Sequence, residues 1–164
     1  MAKKETGKTK GKPEGEGIKI VARNRRARFE FELLEKVEAG IVLTGTEVKS
    51  LRTGKASLEE SYAGIDHGEV WLYGCDIPEY LQANRMNHKA KRPRKLLLHR
   101  REIDKLIAKS AEKGLTLVPL NLYFKKGIAK VELCVARGRK LYDKRAALKS
   151  KDAKRDMDRA LRHG

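Results

Sequence analysis

The sequence predicts a mainly β fold, an antiparallel barrel with two or three short flanking helices between disordered N- and C-terminal tails. Three observations predict it. Short runs of alternating apolar and polar residues recur along the chain, glycine-containing turns separate them, and no strand–helix–strand rhythm of a parallel sheet occurs. At 164 residues, the chain has room for one core and some tail.

Residues 1–17 alternate Lys, Glu, Gly and Pro without a bulky apolar side chain, so nothing there offsets the entropy of ordering, and a disordered tail is expected. The folded domain is set at 18–137. From Arg28, the residues Phe29, Phe31 and Leu33 alternate with Arg28, Glu30 and Glu32, the period of a half-buried strand; a second strand, Ile41 to Leu43, follows Gly40. Thr46 is a plausible N-cap for a short helix through Arg52 that stops at Gly54, with Val48 and Leu51 on its inner face. Tyr62–Ile65 and Glu69–Ile77 flank Asp66-His67-Gly68 as a hairpin, with Trp71, Tyr73, Cys75 and Ile77 on one strand face.

Ile103, Leu106, Ile107 and Ala111 mark a helix that Gly114 caps. Leu115 and Leu117 have odd parity while Leu120, Leu122 and Phe124 are even, so that strand must change face near Val118-Pro119 through a bulge. Lys125-Lys126-Gly127 turns the chain into Ala129, Val131, Leu133 and Val135. An oligonucleotide-binding-type barrel accommodates these elements best, with a mixed α+β sandwich as the alternative. Residues 138–164 are too poor in apolar side chains to join the core; Ala153, Met157, Ala160 and Leu161 recur at helical spacing, which predicts disorder in the free chain and helix when bound.

The formal charge is +17, from 39 Lys and Arg against 22 Asp and Glu, and an excess of this size calls for a polyanionic partner. No apolar run is long enough to span a membrane and no signal-peptide stretch opens the sequence, so a cytoplasmic protein is expected. Cys75 and Cys134 stand apart without a CxxC pattern, and the four histidines are scattered, so neither a metal nor a cofactor is expected and both thiols are read as buried and reduced. No GxSxG, HExxH or GxxxxGK[ST] occurs, and Glu47, Glu59 and Glu60 lack a nucleophile to serve, so no enzyme is expected and these acids are read as solvated residues at the core edge. The densest positive segment runs from Arg85 through Lys89, Lys91, Arg92, Arg94, Lys95 and Arg100 to Arg101, with Tyr80, Asn87, His88 and His99 interleaved. Donors and rings mixed with cations suit structured RNA and its unstacked bases. A second cluster is Arg23, Arg25, Arg26 and Arg28, and the C-terminal segment is a third, which points to two RNA surfaces.

Several stretches resemble the SsrA-binding protein, or small protein B, family: Asn24-Arg25-Arg26-Ala27-Arg28, Glu38-Ala39-Gly40-Ile41, Gly45 through Val48-Lys49-Ser50-Leu51-Arg52, Arg94-Lys95-Leu96-Leu97-Leu98-His99, Thr116 through Leu120, and Asp143-Lys144-Arg145. The likeness covers nearly the whole chain from Asn24. It implies the oligonucleotide-binding-type barrel and a role in bacterial ribosome rescue by trans-translation, as a monomer that binds the tRNA-like domain of transfer-messenger RNA. Glu38, Arg52, Leu97 and Lys130 are then implied to form the RNA face, with Arg25, Arg26, Lys49, Asn87, His88, Arg94 and Lys95 as further contacts. The resemblance also implies that the tail from Gly138 enters the vacant mRNA channel of a stalled ribosome, with Tyr142, Asp143, Lys144 and Arg145 at the decoding centre. Lys149, Lys151, Lys154, Arg155, Arg159 and Arg162 would line the 16S rRNA of the channel. Elongation factor Tu and alanyl-tRNA synthetase are implied only as indirect partners, through the charged RNA. This chain departs from the family pattern at Tyr142, where His is usual, and at Lys89-Ala90, where an acid and a proline are common. A structural ribosomal protein that binds rRNA permanently is the alternative function.

Overall fold

The computed structural model describes residues 17–82, 87–139 and 141–163. Its strands are β1 (Ile18–Arg23), β2 (Phe31–Ile41), β3 (Tyr62–Asp66), β4 (Glu69–Tyr73), β5 (Arg94–Leu97), β6 (Leu115–Lys125) and β7 (Ile128–Gly138). The helices are α1 (Arg25–Glu30), α2 (Gly45–Arg52), α3 (Arg100–Ser110) and α4 (Leu141–His163). All strand pairings are antiparallel, in the order β1-β6-β3-β4-β5-β2-β7, and the additional β6–β7 pairing closes the sheet into a barrel that leaves β1 as a flap on β6. The expected mainly β barrel is what the chain forms.

Both tight hairpins follow from left-handed turn residues. His67 and Gly68 have φ of 51° and 72°, and Lys126 and Gly127 have 50° and 76°, the two positive values that join twisted strands with a two-residue loop. The bulge in β6 also falls where expected, between Pro119 and Asn121, because proline cannot donate to the ladder. Leu120 nevertheless belongs with Val118, not with Leu122. Val118 and Leu120 pack with Ala27, Cys134 and Ala136 in a small outer cluster, whereas Leu117, Leu122 and Phe124 face the barrel interior.

Several boundaries differ from the sequence expectations. The alternating run from Arg28 is divided: residues 25–30 are helix, capped by Asn24, whose Oδ1 accepts from the Ala27 N–H at 3.1 Å, and β2 starts only at Phe31. The expected pair of strands is then one, running unbroken through Gly40 to Ile41. The cap of α2 is Thr44, two residues before Thr46, and it closes a capping box with Glu47. In the fourth case, Val70 and Leu72 are the buried residues of β4 while Trp71 and Tyr73 stand outside; Gly74, at φ 72°, shifts the chain so that Cys75 and Ile77 point inward. Sequence reading also missed β1 as an element.

Inside the barrel, Leu51, Leu72, Leu96, Leu122, Val131 and Leu133 are fully buried, so α2 works as a plug whose Leu51 enters the core. Helix α3 packs on the barrel's interior core through Ile103 and Leu106, and Glu35 on β2 ties it down by accepting from Lys105 at 2.6 Å and from Lys109. The C-terminal segment takes the helix α4, which touches α1. No helix among the described residues is long and apolar enough to cross a membrane.

Candidate nucleic-acid interface

One row of residues crosses four strands of the barrel. Leu97 on β5 is paired with Gly40 on β2, Gly40 with Lys130 on β7, and Lys130 with Tyr123 on β6. Paired residues of antiparallel strands point to the same side, so Leu97, Lys130 and Tyr123 share the outer face. Gly40 leaves the gap that lets Leu97 lean over β2: a Cβ on residue 40 would come within 3.2 Å of the Leu97 Cβ. Leu97 is 52% exposed, an apolar side chain presented to solvent beside cations. That combination suits contact with an unstacked base.

Glu38 lies two residues along β2 on the same face and opposite Glu132. The Tyr123 hydroxyl donates to Glu38, and Lys125 stands 3.5 Å from it. The Tyr123 hydrogen bond is the main reason that the Glu38 carboxyl is held below its ordinary pKa, with Lys125 and Lys130 acting in the same direction. Burial and the Glu38 carboxylate together push the Tyr123 hydroxyl up, so it remains a donor at neutral pH. Lys36 offsets Glu132 at 3.5 Å, and Asn121 donates to the same carboxylate. Lys130 makes no ion pair among the described residues and is the free cation at the centre of this face. Sequence reading missed Tyr123 and Lys125. The parity of Leu122 and Phe124, both inward, was the signal that Tyr123 faces out.

Arg52 stands apart from Glu38, Leu97 and Lys130. It is exposed at the end of α2, where its carbonyl accepts from Lys19 at 3.4 Å; Lys19 pairs with Phe124 and so lies on the other side of β1 from the Tyr123 row. Lys49 is also exposed on α2, 5.8 Å over the ring of Tyr80. Arg25 and Arg26 are exposed on α1, with Arg26 paired to Glu30 at 3.0 Å. Lys95 is half-buried on the outer face of β5, 3.5 Å from Glu69.

The densest positive segment is divided: Lys89, Lys91, Arg100 and Arg101 are exposed, but Arg94 and His88 turn inward, which corrects two expected RNA contacts. Arg94 is completely buried: its Nε donates to Glu47, its Nη1 to the Cys75 carbonyl at 2.7 Å and its Nη2 to the Ala90 carbonyl at 3.0 Å. His88 is buried as well, with Nδ1 2.9 Å from the Thr46 hydroxyl and Nε2 2.8 Å from the Ile77 carbonyl. Neither can reach RNA. Asn87 is exposed, but its amide is spent on the loop: it accepts from the Tyr80 and His88 N–H groups and donates to the Tyr80 carbonyl.

Glu47, expected at a solvated core edge, is the buried carboxylate beneath this loop. It accepts from Arg92, Arg94 and the Thr44 N–H, and although burial pushes its pKa up, these donors outweigh burial and hold it below the ordinary value. Both thiols are buried, as expected, and burial pushes Cys75 up to about 11. Among the described residues, no cluster of His, Cys, Asp and Glu could hold a metal.

In the tail, Gly138 ends β7 opposite Phe31. The next residue ties back to α1 through the Arg139 N–H on the Glu30 carbonyl at 3.0 Å. Arg145, Lys149, Lys151, Lys154, Arg155, Arg159 and Arg162 are exposed along α4. The side chains of Tyr142, Asp143 and Lys144 lie outside the described residues, as does Arg85.

The profile of the SmpB protein family matches residues 21–163. The chain belongs to this family. It is 56% identical over 153 residues to the SsrA-binding protein of Thermobifida fusca, covering 93% of this chain and 96% of that one. The SsrA-binding protein of Syntrophomonas wolfei is 57% identical over 148 residues, which is 90% of this chain and 94% of that one. A solved structure concerned with tmRNA-SmpB at the centre of the bacterial ribosome is 50% identical and superposes with a TM-score of 0.62, over 73% of this chain and 84% of that chain.

Proposed function

We propose that this chain is a cytoplasmic RNA-binding adaptor of trans-translation. It holds the tRNA-like domain of transfer-messenger RNA on the outer barrel face, brings that RNA to stalled ribosomes, and uses its C-terminal tail in place of codon–anticodon pairing. The observation that carries this reading is the row of Leu97, Gly40, Lys130 and Tyr123, on a chain whose relatives bear the name SsrA-binding protein. Lys130 supplies a cation for phosphate, Leu97 an apolar surface for a base, and Glu38, fixed by Tyr123, an acceptor for a base amine or a ribose hydroxyl. The chain catalyses nothing, needs no cofactor and acts as a monomer; elongation factor Tu and alanyl-tRNA synthetase meet it only through the charged RNA.

A gel shift with transfer-messenger RNA and with rRNA fragments of equal length, at near-physiological salt, tests the reading. Selective binding of transfer-messenger RNA is expected. Lys130→Glu should weaken it by about 1 to 3 kcal/mol, because a charge-assisted contact is replaced by repulsion, without changing thermal unfolding. Equal affinity for all these RNAs, with co-sedimentation on ribosomal subunits in high salt, would instead make the chain a structural ribosomal protein.

A further inference from the structure

The geometry points to a second nucleotide site, a cleft between α1, β6 and α4 that binds one nucleotide of ribosomal RNA and thereby fixes the C-terminal helix to the barrel. This rests on the adaptor reading, which takes the tail onto the ribosome. The cleft measures about 430 Å³, and its walls include Arg23, Arg25, Arg28, Phe29, Asn121 and Lys151. Four cations thus meet from three elements: the end of β1, the exposed side of α1 and the middle of α4. Among the described residues, no carboxylate lines the cleft. Among the described residues none of the four is ion-paired, whereas Arg26, on the same short helix, is paired with Glu30.

Cations held together without a counter-charge repel one another, and an anion between them relieves that repulsion. The backbone that carries the arginines is held in place: Asn24 donates its side-chain amide to the Pro119 carbonyl at 3.1 Å and its backbone N–H to the Leu120 carbonyl at 2.8 Å, which staples the start of α1 to β6. Arginine forks match phosphate oxygens, and the ring of Phe29 in the same wall offers a face on which a base can stack. A phosphodiester with its base uses both features. Free phosphate would use only the first.

The source follows from Lys151. The tRNA-like domain is assigned to the Lys130 row, which ends at Tyr123 and needs no residue of α4. Lys151 belongs to the segment that enters the ribosome, so the strand that completes this cleft is ribosomal. A nucleotide gripped by α1 and α4 at once would set the angle at which the tail leaves Gly138.

A double-mutant cycle on the full chain tests this. Arg25→Gln, Lys151→Gln and the double variant are compared for binding to purified ribosomes stalled at the 3′ end of an mRNA, and separately to transfer-messenger RNA alone. Both residues are exposed, so thermal unfolding serves as a control for folding. On ribosomes, each single change should weaken binding about fivefold, and the double variant should be little worse than either, because both side chains hold one nucleotide. Losses that multiply would overturn the shared site, and so would no loss at all. Coupling seen only with transfer-messenger RNA would overturn the ribosomal assignment. In either failure, unchanged sensitivity of transfer-messenger RNA binding to Lys130→Glu leaves the adaptor reading standing.

Discussion

Glu47 shows how far one side chain can serve the fold rather than the surface. Its carboxylate closes the cap of α2 and neutralises Arg94, which no water reaches. Removing one partner of a buried pair strands the other, at a typical cost of about 3 to 5 kcal/mol, a large part of the stability of a domain this size. Glu47→Gln should lower the urea midpoint accordingly. Its pH dependence has a definite sign. The folded carboxyl titrates below the ordinary value of 4.5, so its contribution is complete above 4.5 and disappears as the pH falls through the folded pKa. Urea midpoints measured down to pH 3 should fall for the parent protein below 4.5, and the Gln variant should lack that part of the fall. The sequence did not reveal this pair, because the partners lie 47 residues apart and charge density alone cannot separate a solvated arginine from a buried one. His88 misled in the same way: an imidazole among cations reads as an RNA donor until both of its nitrogens are seen to bond within the protein.

At the scale of elements, the legible parts were those with a local physical cause. The two-residue turns, the bulge at Pro119 and Gly54 just past α2 each follow from a residue whose backbone allows little else, whereas α3 ends at Ser110 with Ala111 as its cap, before the Gly114 expected there. Less legible was α1, six residues whose Phe29 mimics strand alternation with Phe31 of the following strand; the deciding contacts run from Asn24 to residues of β6 some 95 positions away. The face shift after β4 was hidden for a different reason. Gly74 looks like any strand glycine, yet its φ is 72° and a Cβ there would lie 2.7 Å from the Glu60 carbonyl oxygen. Gly54 has a similar φ of 83° but open space around it. Gly54→Ala should therefore cost only the left-handed strain of about 1 to 2 kcal/mol, while Gly74→Ala adds a clash with backbone that cannot rotate away. Thermal melts of the two variants should rank Gly74→Ala as clearly the less stable; equal shifts would mean that the 57–61 segment moves aside freely.

For the whole molecule, the central question is how a closed barrel and an exposed helix divide the work. The barrel buries its core without α4, whose described side chains are all exposed, and the strand that precedes α4 is complete at Gly138. Every residue of the proposed tRNA-like face lies upstream of that point, on β2, β5, β6 and β7. Cutting the chain after Arg137 removes one strand-end pair, Gly138 with Phe31, and leaves the rest of the β2–β7 ladder in place. The truncated protein should keep its fold and bind transfer-messenger RNA with nearly unchanged affinity in a gel shift. On ribosomes stalled at the end of an mRNA it should fail, because the exposed cations of α4 and the Lys151 wall of the nucleotide cleft are gone. Peptidyl transfer to charged transfer-messenger RNA is the measurement: it should fall to background with the truncated chain while RNA binding persists. A parallel loss of both would show that the tail belongs to the RNA face after all, and the division between barrel and helix would have to be abandoned.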